Sequence, residues 1–375
     1  MKRLFCVIIT LALFFPFSVF VTKAIDCDAK AAMVMEWASE TVLYEKNADE
    51  KLPQASTTKI MTALIVLESV DLQEKITVSS SAAAVEGSQL GLTAGDQLSV
   101  RDLLYVLMLK SGNDAAEALA EGIGGSVSNF VAKMNQRASE LGLNNTQFQN
   151  PHGLPAEEHY TTARDLARLT AKALENEEFC KIVSTKQARL TYKNMVISNS
   201  NKLLGSCDGV FGVKTGFTKK AGRCLVTVAE RKGVKLICVT LNDGNDWRDH
   251  STLYDECFPR VEQYEMVPPQ GYGGIVSVLG GEGDATVKNS LPLTGIAIDG
   301  NPIPYQLIPQ TIPRTFPPIE RGKTLGYLQV LSGCGRTIST SPLNTVHTVL
   351  QKKEERTFFG SFPLKLRKLW RTLTS

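Results

Sequence analysis

Residues 60–70, IMTALIVLESV, are apolar on nearly every side of a helix. A helix without a polar face cannot border water and has to be enclosed by other elements. The chain therefore folds in layers around it. Pro53 precedes this stretch, and the predicted helix runs over 55–70. With 375 residues and 43% hydrophobic content, the chain is long enough to supply the cover. Residues 31–45 read as two short strands about a polar turn near 39–41. Residues 209–241 read as a strand followed by a hairpin that turns at 231–233. Helices are predicted between them over 101–123, 126–141 and 162–175, with Gly142 stopping the second. Strands at both ends of a helical middle give an α/β domain over 25–262, an antiparallel sheet covered by helices. Beyond about residue 265 the sequence turns to Gly, Pro, Val and Ile with frequent turn signals, which predicts a small all-β domain over 268–355.

The two ends differ from the body. Residues 1–24, MKRLFCVIITLALFFPFSVFVTKA, join a basic start to a long apolar run and a small residue, Ala24. This is the pattern of a secretory signal peptide, expected to be cut near Ala24–Ile25. Pro16 and the polar sequence that follows argue against a retained membrane span. The expected location is thus the outer face of the cytoplasmic membrane. Setting aside Lys2, Arg3 and Lys23 leaves 38 basic residues against 38 acidic ones, a balance with no global field for nucleic acid. At 360–375, Leu366, Leu369, Trp370 and Leu373 recur at helical spacing, with Lys365, Arg367, Lys368 and Arg371 between them. An amphipathic helix of this kind suits an anionic membrane surface, where each cation is worth about 1 kcal/mol. Docking on the protein's own body is the alternative. Seven cysteines remain after the leader, scattered and without a CxxC pair, so a zinc ribbon is not expected. Export permits disulfides, and Cys224 and Cys238 could face each other across the hairpin; burial as small hydrophobes is an equal reading.

Three short motifs carry chemistry: Ser56-Thr57-Thr58-Lys59, Ser111-Gly112-Asn113 and Lys214-Thr215-Gly216. A serine hydroxyl needs a base within hydrogen-bond reach. Residues three apart on a helix are neighbours, which brings Lys59 to Ser56. A free lysine, with a pKa near ~10.4, is useless as a base, but burial beside a second cation lowers it by several units. Ser56 at the helix start also offers its own N–H to an oxyanion. In the second motif Ser111 can relay a proton to a leaving nitrogen and Asn113 can donate to a substrate amide. In the third, the Lys214 strand offers positive charge, a hydroxyl from Thr215, and room at Gly216 for a substrate backbone lying alongside. The four histidines, His152, His159, His250 and His347, form no HExxH pattern, so a zinc peptidase is not expected and no metal or cofactor is called for.

With these motifs in their contexts, VLYEKNADEKLPQASTTKIMTAL, LGLNNTQFQNPHGLPAEEHYTTARDLA and GVKTGFTKKAGRCLV, the chain resembles the low-molecular-mass penicillin-binding proteins, serine-type D-alanyl-D-alanine carboxypeptidases of bacterial cell walls. The resemblance implies the penicillin-binding protein/β-lactamase-like fold and hydrolysis of the terminal D-alanine of peptidoglycan stem pentapeptides through an acyl-enzyme, with β-lactams as inhibitors. It implies Ser56 as nucleophile, Lys59 as base and Ser111 as proton relay. Asn113 would contact substrate, Lys214 and Thr215 would bind its terminal carboxylate, and Gly216 would shape the strand. The N–H groups of Ser56 and Phe217 would form the oxyanion hole. Arg248 is a further candidate cation for the carboxylate, or else a surface arginine beside Asp246 and Asp249. Two other readings are a class A-like β-lactamase, in which Glu140 would mimic the deacylating glutamate, and an inactive, membrane-tethered peptidoglycan-binding protein.

Overall fold

The computed structural model describes residues 25–352. The leader over 1–24 and the basic tail over 360–375 lie outside the described residues. The first hairpin forms as expected, from Ala31–Glu36 and Val42–Lys46. Its turn is fastened by the Glu36 carboxylate, which accepts from the N–H of Ala38 at 2.9 Å and of Ser39 at 2.7 Å. Five strands make one antiparallel sheet in the order Val42–Lys46, Ala31–Glu36, Val234–Leu241, Gly222–Arg231, Val210–Thr218. The hairpin at 209–241 is therefore joined to the chain's first strand, and the Lys214 strand is left on an open edge.

Alternation along the strands sends side chains to two cores. Met33, Met35, Val226 and Val239 face one, and Ala32, Val34, Leu225 and Leu236 face the other. The helix Lys59–Ser69 fills the first core, with every residue from Lys59 to Val66 buried, and Asn113–Gly124, Val127–Glu140 and Ala163–Ala173 pack around it. The second core is closed by Asp246–Cys257, through Leu253, Tyr254 and Cys257. The sheet is thus the middle layer, which the all-apolar helix required.

Two local expectations are corrected. Cys224 and Cys238 are both free. The hairpin register pairs Cys224 with Leu241 and Cys238 with Thr227. The offset of three residues is odd, so the two thiols point to opposite faces and into different cores. The helix predicted over 101–123 is broken. Val100–Tyr105 gives way to a π-helical turn over Val106–Lys110, Ser111 turns left-handed at φ 61, and the helix restarts as Asn113–Gly124. Apolar periodicity carries through such a π turn, so the break is invisible in the pattern of LLYVLMLK.

From Val261 to the end of the described residues the chain is all-β. Val261–Val267, Leu293–Ile298 and Asn301–Pro302 form one sheet, and six strands from Gly273–Val278 to Thr337–Thr345 form another. Their core holds Val276, Val287, Leu328 and Leu343. Arg336, in the turn before Thr337–Thr345, reaches across to the α/β part. Its guanidinium pairs with Glu40 at 2.8 Å and Glu175 at 3.0 Å, and donates to the carbonyl of Trp37 at 3.1 Å. Among the described residues no helix is long and apolar enough to cross a membrane.

Candidate active site

Ser56 sits in a single 3-10 turn, Ala55–Thr58, that runs directly into the buried helix. In this tighter winding, residues three apart eclipse each other, so the Lys59 side chain rises beneath Ser56. The Lys59 Nζ lies 3.1 Å from Ser56 Oγ and donates to Asn113 Oδ1 at 2.7 Å and to the His152 carbonyl at 2.8 Å. Burial, and then the neighbouring Lys214 cation, hold the Lys59 amine well below the usual lysine value, with Asp114 opposing. A neutral amine has two N–H bonds and one lone pair. Asn113 and His152 take the two N–H groups, which leaves the lone pair for the Ser56 hydroxyl.

The turn is held by its neighbours. Ala55 adopts a left-handed φ of 47. Gly153, at φ 94, presses so closely on it that a Cβ there would fall 1.9 Å from the Ala55 carbonyl oxygen. On the other side stands the edge strand: a Cβ on Gly216 would lie 3.0 Å from Ser56 N. The strand Val210–Thr218 and the Ser56 turn are thus one wall, as the motif reading requires.

A cleft of about 340 Å³ opens at this wall. It is lined by Ser56, Ser111, Thr215, Gly216 and Phe217 together with Ser88, Lys110, Ser200, Lys202, Arg223, Asp246 and Trp247. Ser111 Oγ is buried without a hydrogen-bond partner among the described residues, and Thr215 Oγ1 is 3.1 Å from Ser200 Oγ. Lys214 is buried, with its Nζ donating to the Thr215 carbonyl at 2.9 Å, and burial brings its amine down to about 7.

Two expected residues behave differently. Asn113 does not line the cleft: it donates to the Glu86 carbonyl at 2.6 Å and holds Lys59. Arg248 is turned away, with its guanidinium paired to Asp28 and Asp249 at 2.9 Å each. Asp249 is its neighbour on the same helix and Asp28 comes from the segment before the first hairpin, and the sequence could not rank them against a substrate carboxylate. The arginine at the cleft is Arg223 instead, beside Lys110 and Lys202, bound to Asp246 at 2.8 Å and lying over the Trp247 ring at 5.4 Å. Its signal was in the hairpin, because register places Arg223 opposite Phe217.

Three further residues support the site, and of these sequence reasoning did not single out Asp114. Asp114 gathers the N–H groups of Leu90, Gly91 and Leu92 onto one oxygen at 2.9, 2.9 and 3.1 Å, fixing the segment beside Ser88. His159 Nε2 donates to Thr58 Oγ1 at 2.7 Å, and its Nδ1 accepts from Gln149 N, so the ring is neutral; burial lowers it to about 4. His152 Nδ1 accepts from Leu154 N, and its Nε2 stands 3.5 Å from Glu117. Among the described residues no cluster of three or more His, Cys, Asp or Glu is arranged to hold a metal ion.

The profile of the D-alanyl-D-alanine carboxypeptidase family matches residues 18–245. The chain belongs to that family. It is a serine-type carboxypeptidase. It is 34% identical to D-alanyl-D-alanine carboxypeptidase DacF of Bacillus subtilis, over 86% of each chain. It is also 34% identical to DacC of Escherichia coli, over 90% of this chain and 87% of the relative. Among solved structures, penicillin binding protein 5 of Haemophilus influenzae superposes with a TM-score of 0.62 at 26% identity, covering 87% of this chain and 98% of its own. The carboxypeptidase thus has the penicillin-binding protein fold, with the all-β part following the catalytic part. In the carboxypeptidase Glu140 ends its helix on the surface, bound to Arg137 at 3.0 Å, and does not line the cleft, so it cannot serve as a lactamase-like deacylating group.

Proposed function

We propose that the carboxypeptidase removes the terminal D-alanine from peptidoglycan stem pentapeptides through an acyl-enzyme on Ser56. The Lys59 lone pair takes the hydroxyl proton as Oγ attacks the carbonyl of the penultimate D-alanine. The developing oxyanion is met by the N–H groups of Ser56 and Phe217, donors that need no reorganisation. Ser111, whose hydroxyl has no hydrogen-bond partner among the described residues, passes the proton to the leaving nitrogen, and free D-alanine departs. Thr215 and the Lys214 cation bind the terminal carboxylate, while Gly216 lets the substrate backbone lie along the open edge strand. Water then cleaves the ester, its oxygen going to the acyl carbon and one of its protons to the Ser56 oxygen. No cofactor enters. A β-lactam acylates Ser56 by the same attack. We further propose export to the wall side of the cytoplasmic membrane, with the basic tail over 360–375 resting on its surface.

One observation carries the reading: a lysine amine that is wholly buried, held below its usual value and 3.1 Å from the Ser56 oxygen. The test is incubation with a synthetic pentapeptide ending in D-Ala-D-Ala, following free D-alanine, alongside intact mass after benzylpenicillin. The expected results are D-alanine release and a lasting adduct on Ser56, with both lost in Ser56→Ala. Release unchanged in that variant overturns the mechanism, and turnover of penicillin within seconds makes the protein a lactamase.

A further inference from the structure

The order of groups on the edge strand gives the cleft a direction. If the terminal carboxylate lies at Thr215 and the scissile carbonyl at Phe217 N, as the proposed function has it, then residues before the scissile bond continue past Phe217. Strands advance about 3.4 Å per residue, so the side chain of the residue before the penultimate D-alanine arrives beside Arg223, which pairs with Phe217 across the hairpin. What stands there is an ion pair on an aromatic floor. Arg223 Nε and Nη2 both bind one oxygen of Asp246, at 2.9 and 2.8 Å, and the Trp247 N–H donates to that same oxygen at 3.0 Å. Among the described residues nothing bonds Arg223 Nη1 or Asp246 Oδ2. Asp246 is buried and Trp247 half-buried, so the pair is held in place by its surroundings. A donor cation that is 41% exposed, beside an acceptor carboxylate that lines the cleft with only 3% of its side chain exposed, complements a group that carries an ammonium and a carboxylate on the same carbon. The remaining charged residues lining the cleft, Lys110 and Lys202, are both cations. The local balance therefore favours a side chain that brings a carboxylate over one that brings an ammonium alone.

We propose that Arg223 and Asp246, braced by Trp247, form a specificity subsite for the residue preceding the penultimate D-alanine, selecting a side chain that ends in an amino-acid head group. Arg223 takes its carboxylate and Asp246 its ammonium. The inference rests on the acyl-enzyme reading, which fixes the direction of the peptide.

The experiment compares kcat/KM for three pentapeptides that differ only at that position: a diamino diacid, the same residue with its side-chain carboxylate amidated, and lysine. A partly exposed charged contact supports a preference of roughly fivefold for the free diacid over its amide. Equal rates on the two in the unaltered enzyme overturn the proposal. In Arg223→Gln the diacid-to-amide ratio should fall to about one, and Arg223→Lys should restore part of it; a ratio unchanged in Arg223→Gln also overturns the proposal. The ratio is taken within each variant, so a general loss of activity cancels. Should Arg223→Gln not fold, Asp246→Asn replaces it and is expected to remove the preference for the diacid over a side chain bearing the carboxylate without the ammonium. Failure of the acyl-enzyme reading would look different, with no peptide cleaved and no penicillin adduct on Ser56.

Discussion

Asn113 Oδ1 accepts a hydrogen bond from the Lys59 amine at 2.7 Å, and both groups are buried. A neutral amide in that position fixes the amine without charging it. Asn113→Asp would set a carboxylate there and hold the proton on Lys59. The expected outcome is a loss of D-alanine release at neutral pH on the order of 10²-fold or more, with the acid limb of the kcat profile moved to higher pH. A pH–rate series on both enzymes checks it.

Gly216 leaves no space for a methyl group, since a Cβ would press on Ser56 N at 3.0 Å and on the Ala55 Cβ at 3.2 Å. Gly216→Ala should move the Ser56 turn by a few tenths of an ångström, costing about 1–3 kcal/mol of stability. Penicillin acylation should slow by more than tenfold, because the oxyanion donors shift with the turn. Acylation rates by stopped-flow, with thermal melts alongside, separate the two effects.

Lys214 links activity to stability. Burial brings its amine to about 7, whereas an unfolded lysine titrates near roughly 10.4. Between these values the unfolded chain holds the extra proton, so stability rises with pH across the window, and the penalty is greatest below about 7. Lys214→Met should therefore abolish D-alanine release yet raise Tm at pH 7 by about 3 °C or more. The gain should shrink toward pH 10. Melting curves at the two pH values decide it.

The tail is tested separately. Removing residues 360–375 should leave D-alanine release intact and shift the protein from the membrane fraction to the soluble one. Membrane partition unchanged after truncation would assign the attachment elsewhere.

Much of this was legible because its cause is local. An all-apolar helix demands cover, alternating strands demand a sheet, and Ser56 with Lys59 follow from spacing alone. What escaped depends on register and on competition among partners. The Cys224 and Cys238 thiols were separated by an offset of three residues that only the paired strands reveal. Arg248 stands beside Asp246 and Asp249 in the sequence and Arg223 beside no acid, and only the fold shows that Arg248 is spent on Asp28 and Asp249 while Arg223 borders the cleft. The Asn113 motif adjoins the site in the sequence, but only the fold shows its side-chain oxygen on the Lys59 amine.

The Arg336 clamp ties the β part to the hairpin turn of the catalytic sheet, through Trp37 and Glu40, and to Glu175. With a half-buried guanidinium wedged between them, the two parts share one frame rather than swing on a loose joint. Whatever grips the far end of the chain therefore steers the cleft as well: the enzyme can be aimed, not only moored.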